Sequence, residues 1–147
     1  MAIVSNQVKD IVQQEMLTEI RTIMNEARSH LARQVNQPLL AAYWNIGRVI
    51  VEHEQNQNVR AEYGKEVLKQ ISRPLTKAFG KVFSRFNLQN MRLLYLAYPK
   101  CQTMSGKLSW SHYCELLVIS DEKRRGFYEK ECARSNCSVR ELKNTNH

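Results

Sequence analysis

The 147-residue sequence predicts an all-α fold, a multi-helix domain with a long N-terminal helix and a helix-turn-helix in its middle. Apolar side chains recur at spacings of three and four along most of its length, the period that gathers them on one helix face. Proline, glycine, or a serine or aspartate cap stands where these stretches start or stop. No stretch alternates with the two-residue period of a strand, and no internal repeat is visible.

Residues 8–35 read as one helix in which Leu17, Ile20, Met24, Ala27 and Leu31 form a narrow seam. Such a seam suits a second helix, either inside the monomer or from another copy of the chain. Asn36-Gln37-Pro38 is expected to break or kink this helix, since proline lacks the amide donor and sits best in the first turn of a new segment. A second helix then runs from about Pro38 to Glu54, with Leu39, Tyr43, Ile46 and Ile50 in one apolar row and Leu40, Trp44, Gly47 and Val51 in the next. Gly47 lies in that buried face, where a missing side chain admits another backbone. His53 to Asn58 is polar throughout and reads as a loop.

The third helix spans about Tyr63 to Phe79, with Val67, Leu68, Ile71, Leu75, Ala78 and Phe79 at helical spacing. Pro74 inside it predicts a kink, or two shorter helices meeting at Ser72. Gly80 supplies a stop, Ser84 an N-cap, and the helix Arg85 to Ala97 ends before Pro99. Beyond a loop holding Gly106, Ser109 or Ser111 caps a short helix through Leu117, and Asp121 caps a longer one through about Arg134. Ser138-Val139-Arg140-Glu141 fits a capping box opening a last helix. With five residues left after Leu142, that helix reads as the edge of a longer chain or a truncated gene. The expected organisation is one domain over 1–147, divided into an N-terminal helix (1–36), a helical middle with the helix-turn-helix (37–100) and C-terminal helices (101–147).

Composition narrows the function. At 43% hydrophobic and 24% charged the chain can bury one core, with no run apolar enough to span a membrane, so a cytoplasmic protein without membrane partners is expected. Cys101, Cys114, Cys132 and Cys137 include no C-x2-C pair, so they read as ordinary thiols, with no metal and no cofactor. The net charge of +8 is concentrated: residues 65–100 hold eight Lys/Arg against Glu66 alone, which is +7 of the total. Positive charge gathered in this way attracts a polyanion.

Within that quarter, the helix ending at Gly80 and the helix starting after Ser84 form the candidate helix-turn-helix. On the second, Leu88, Met91 and Tyr95 share one side, and Arg85, Gln89 and Arg92, with Asn90 beside them, share the other. Arginine, glutamine and asparagine match the donor and acceptor pattern of base edges. The expected DNA-contacting residues are Arg73, Lys77, Lys81, Ser84, Arg85, Asn87, Gln89, Asn90, Arg92, Lys107 and His112, with duplex DNA as the partner.

Two resemblances attach to these residues. The segment Phe79-Gly80-Lys81-Val82-Phe83-Ser84-Arg85, then Asn90-Met91-Arg92-Leu93-Leu94 and Leu108-Ser109-Trp110-Ser111-His112, resembles the DNA-binding part of the ParB partition proteins, with Val82-Phe83 as an insertion. A broader set of positions is similar to the N-terminal domain of the YhcG-like nucleases. It comprises Tyr43-Trp44-Asn45-Ile46-Gly47-Arg48, Ala61-Glu62-Tyr63-Gly64-Lys65, Phe83-Ser84-Arg85-Phe86-Asn87-Leu88, Leu108-Ser109-Trp110-Ser111-His112-Tyr113 and Ser138-Val139-Arg140-Glu141-Leu142. That resemblance implies a helical module expected to bind DNA, followed by a C-terminal PD-(D/E)xK nuclease domain outside this sequence. Cys137 stands where that family usually shows tryptophan.

No catalytic residues are expected here. Asp121-Glu122-Lys123 and Glu141-Leu142-Lys143 spell half of the nuclease signature but sit at helix starts, where capping explains them. Ser109, Ser111 and His112 lack a carboxylate orienter and an oxyanion hole. The alternative function is a protein-interaction or oligomerisation module using the N-terminal helix, with a homo-oligomer as its product.

Overall fold

The computed structural model describes the backbone of residues 2–56 and 61–145 and the side chains of 7–55 and 64–145. The described residues form helices and turns with no strand. They comprise α1 (Ala2–Asn56), α2 (Ala61–Phe79), α3 (Arg85–Ala97), α4 (Trp110–Leu116), α5 (Glu122–Ser135) and α6 (Val139–Thr145). Single 3-10 turns cover Lys81–Phe83 and Cys101–Thr103.

The break expected at Pro38 does not occur. α1 runs 55 residues with Pro38 inside it, so the division between 1–36 and 37–100 is not a boundary between helices. An interior proline costs about 3 kcal/mol. Just after it, Leu40 is buried and Trp44 Nε1 donates to the Tyr98 carbonyl oxygen at 2.7 Å, contacts that hold the helix in line. The loop expected over His53 to Asn58 is helical as far as Asn56, and its remainder lies outside the described residues. Pro74 likewise sits inside an uninterrupted α2, and Ser72 caps nothing there; its hydroxyl donates to the Phe83 carbonyl oxygen at 2.8 Å.

The second half of α1 is the spine against which α3 packs. Gly47 is buried there, and a Cβ on it would run into the Met91 carbonyl oxygen of α3, which is why the position takes glycine. Two apolar clusters flank this crossing. One gathers Leu68, Leu88 and Met91, with Ile46, Ile50, Ile71 and Leu75 packed on it. The other gathers Leu40, Leu94, Tyr98, Leu108, Tyr113, Leu116, Cys132 and Leu142, joining α4, α5 and α6 to α1 and α3. Tyr113 is fully buried, and Trp110 packs against Tyr43 at 4.9 Å between ring centroids with the rings tilted by 55°, so both aromatics are structural.

The helix starts follow local capping chemistry. Ser84 accepts from the Asn87 amide at 3.2 Å, Asp121 from Lys123 at 3.1 Å and Ser138 from Glu141 at 3.1 Å, each satisfying an orphan N–H of a first turn. Ser109 rather than Ser111 caps α4, and its partner in the capping box is His112. Asn136, left-handed at φ 54°, closes α5 and lets the Cys137 amide return to the Cys132 carbonyl at 3.1 Å. That return brings the two Cα atoms to 4.9 Å, and a disulfide joins Cys132 to Cys137. The expectation of four ordinary thiols is corrected for this pair; Cys101 and Cys114 remain free.

Candidate nucleic-acid interface

The concentrated positive charge becomes a continuous feature on α2. Lys65, Lys69, Arg73 and Lys77 recur every fourth residue, a spacing that advances only about 40° per step around a helix. They therefore cover an arc of about 120° over about 18 Å. Opposite that arc lie Leu68, Ile71 and Leu75, which pack into the core. Lys81 and Arg85 prolong the series through the 3-10 turn to the first residue of α3, and all six cations are exposed. Among the described residues no carboxylate pairs with Arg73, Lys77, Lys81 or Arg85.

The turn itself is built by Gly80 and Ser84. Gly80 has φ 104°, a conformation L side chains seldom adopt, so the chain can leave α2 abruptly. Lys81–Phe83 form the 3-10 turn, and Val82 and Phe83 tuck against the Leu68 cluster rather than looping out. Ser84 then starts α3, placing Arg85 at the positive end of the helix dipole.

The expected contact residues divide into three groups. Arg73, Lys77, Lys81 and Arg85 lie on the exposed rib, with Ser84 and Asn87 engaged in capping at its end and Gln89 half-buried. Asn90 and Arg92 are not available as base readers. Asn90 is 7% exposed, with its Nδ2 unpaired, because it falls on the side of α3 that meets α4. Arg92 Nε donates to both carboxylate oxygens of Glu54, at 3.0 and 2.9 Å, bridging α3 to the end of α1. Burial pushes the neighbouring Cys114 thiol up to about 11, although Asn90 pulls it the other way.

Lys107 and His112 lie elsewhere. They line a groove of about 310 Å³ with Asn25, Arg28 and Ser29 of α1, and the described lining of that groove includes no residue of α2 or α3. His112 Nδ1 accepts from the Ser109 amide at 3.1 Å, which leaves Nε2 protonated and donating to the Cys137 carbonyl at 2.9 Å. With both nitrogens in use, His112 clamps α4 to the α5–α6 turn. Its ring lies with the Cys132 and Cys137 sulfurs inside 4.8 Å, a three-donor cluster that chain spacing does not reveal. The disulfide and the Nε2 proton occupy all three donors.

Three features escape the sequence reading. Lys65 and Lys69 contribute to the charge excess, but their alignment with Arg73 and Lys77 emerges from the four-residue interval. Phe79, expected on the apolar face of α2, is 70% exposed, and Phe86 is 74% exposed beside Arg85. Two bare phenyl rings flanking a cationic turn are apolar surface of the kind that meets a partner. The third, a titratable cluster of Tyr98, Tyr113, Arg125 and Glu129, lies on the other side of the core, where burial pushes the Glu129 carboxyl above its usual range.

Comparison with known proteins adds the family. Residues 19–146 match the model of the DUF1016 N-terminal domain. The chain is also 35% identical over 152 residues to a curated Escherichia coli (strain K12) protein named "Putative nuclease YhcG", an alignment covering 82% of this chain and 40% of that protein. The chain thus spans less than half the length of this relative. No solved structure matches it. Among the described residues no helix is long and apolar enough to cross a membrane. With its match over residues 19–146, this chain belongs to the DUF1016 N-terminal domain family.

Proposed function

We propose that this domain binds duplex DNA through the rib formed by α2, the Lys81–Phe83 turn and the start of α3, and thereby positions a nuclease domain. The observation that carries the proposal is the exposed series Lys65, Lys69, Arg73, Lys77, Lys81 and Arg85 at four-residue intervals. Phosphates along one strand are spaced at about 3.4 Å of helix rise, so the roughly 18 Å from Lys65 to Lys77 spans about five of them, a number that the six cations of the whole series suffice to neutralise. Arg85 and the half-buried Gln89 are the side chains best placed to reach base edges, while the rest set position and affinity. The name of the relative supports the nuclease association, and on this reading the cleavage chemistry belongs to the portion of such a protein that this chain does not span.

The test is a fluorescence-anisotropy titration of a labelled duplex at increasing salt. Neutralising about five phosphates gives a log–log slope near −4.5, which is a loss of roughly 500-fold between about 50 and 200 mM salt. Affinity that stays constant over this interval overturns the proposal.

A further inference from the structure

We infer that the N-terminal half of α1 is the self-association surface of this protein, and that its occupant is the same helix of a second copy in parallel register. Every residue from Gln7 to Arg28 is exposed, yet the segment is not polar. Val12, Met16, Leu17, Ile20, Ile23, Met24, Leu31 and Val35 are 48–64% exposed. At 100° per residue these eight side chains, with Ala27 among them, fall within an arc of about 140°. The buried residues of the second half of α1, Leu40, Gly47 and Val51, point about 150° away from the middle of that arc.

The apolar side of the helix therefore changes over near Pro38. Beyond it, the apolar face meets α3 and α4. Before it, the polar side faces the rest of the protein, with Asn25, Ser29 and Arg33 lining a groove of about 330 Å³ against Lys107 and Asn136, and Glu26 at its margin. The apolar side faces away from the other described residues, and none of them obstructs a second helix there.

Two properties of the stripe select a second copy. Its eight large side chains expose roughly 700 Å² together, close to the ~800 Å² per partner of a stable interface. Its edges also complement each other: Glu19 and Glu26 run along one margin, Arg21 and Arg28 along the other. A two-fold axis parallel to the helices brings the acidic margin of each copy to the basic margin of its partner. Antiparallel pairing instead sets acid against acid and base against base. The parallel arrangement leaves both helical bodies at the same end, pointing outward.

The test combines mass and orientation. Light scattering of the intact chain at about 50 µM, a concentration where interfaces of this size hold, should give twice the 17.2 kDa chain mass. The Ile20→Glu/Met24→Glu variant should give one chain mass. In a Cys101→Ser/Cys114→Ser background, Ile20→Cys and Ala27→Cys should each form a chain-to-chain disulfide on their own. A single-chain mass for the unmodified protein, or a mass of three chains or more, overturns the inference. So does cross-linking that appears only when the two cysteine variants are mixed, the signature of antiparallel pairing. Mass and DNA affinity are separate readouts, so this inference and the DNA-binding proposal can fail independently.

Discussion

Replacing Gly47 with alanine sets two opposed effects against each other. Alanine favours a helix interior by about 1 kcal/mol over glycine, and if propensity governed, Gly47→Ala would stabilise α1. At this position, however, the new methyl meets the Met91 carbonyl oxygen and then the Tyr95 Cβ of α3, both firmly placed atoms. Relief requires α1 and α3 to separate by about 1 Å, loosening the contacts of Leu40, Val51, Leu88 and Leu94 on either side. Overpacking of this kind costs about 1–3 kcal/mol. We expect a net loss of roughly 2 kcal/mol, seen as a drop of about 4–8 °C in the melting temperature of a domain of this size. The matched control is Gly126→Ala in α5, where a Cβ meets nothing within 4 Å; it should gain up to about 1 kcal/mol and melt higher. Circular dichroism melts of the two variants beside the parent provide the assay. A Gly47→Ala protein melting at or above the parent temperature would refute the close-crossing account.

Three further outcomes follow from other contacts. The Cys132–Cys137 bond closes a loop of separation five, so Cys132→Ser/Cys137→Ser should lower stability by about 2 kcal/mol, read as a lower urea midpoint than the oxidised parent. An unchanged midpoint would show that the bond does not constrain the unfolded chain. Because the Glu129 carboxyl is raised in the folded state, folding favours its protonated form, and this contribution is lost as pH rises from the usual carboxylate range through the raised value. Glu129→Gln should therefore stabilise the protein at pH 7 and have little effect near pH 4; equal effects at both would contradict the burial argument. Glu54→Gln removes the partner of Arg92, whose side chain is 28% exposed, and should cost about 1 kcal/mol after allowance for solvent screening. A cost unchanged in the Arg92→Gln background would show that the pair is not coupled.

Much of the helical layout was legible because capping and helical period are local. Ser84, Ser109, Asp121 and Ser138 each bond a backbone amide two or three residues ahead, and such pairs are visible in the sequence itself. Gly47 was legible for a similar reason, as a gap within an apolar face. The prolines misled because their local cost is outweighed by tertiary contacts that no short window contains, such as Trp44 reaching Tyr98 across 54 residues.

The same limit governs the candidate site. The charge excess over 65–100 pointed to the segment whose cations form the exposed rib. The pairing of Arg92 with Glu54, 38 residues away, and the seating of His112 against Cys137, 25 residues away, depend on helix packing. The side chains of α3 also divide more finely than a two-sided helix suggests, since α4 covers the flank holding Asn90.

The most direct measurement compares where charge is removed. Arg73→Gln/Lys77→Gln/Arg85→Gln takes three cations from the rib, and Arg124→Gln/Lys130→Gln/Lys143→Gln takes three exposed cations from α5 and α6. Net charge falls equally in both. At fixed low salt, the rib variant should lose roughly a hundred-fold or more in duplex affinity and about three units of salt slope, and the other should stay within a few-fold of the parent. Equal losses in the two would contradict the assignment of DNA binding to the rib.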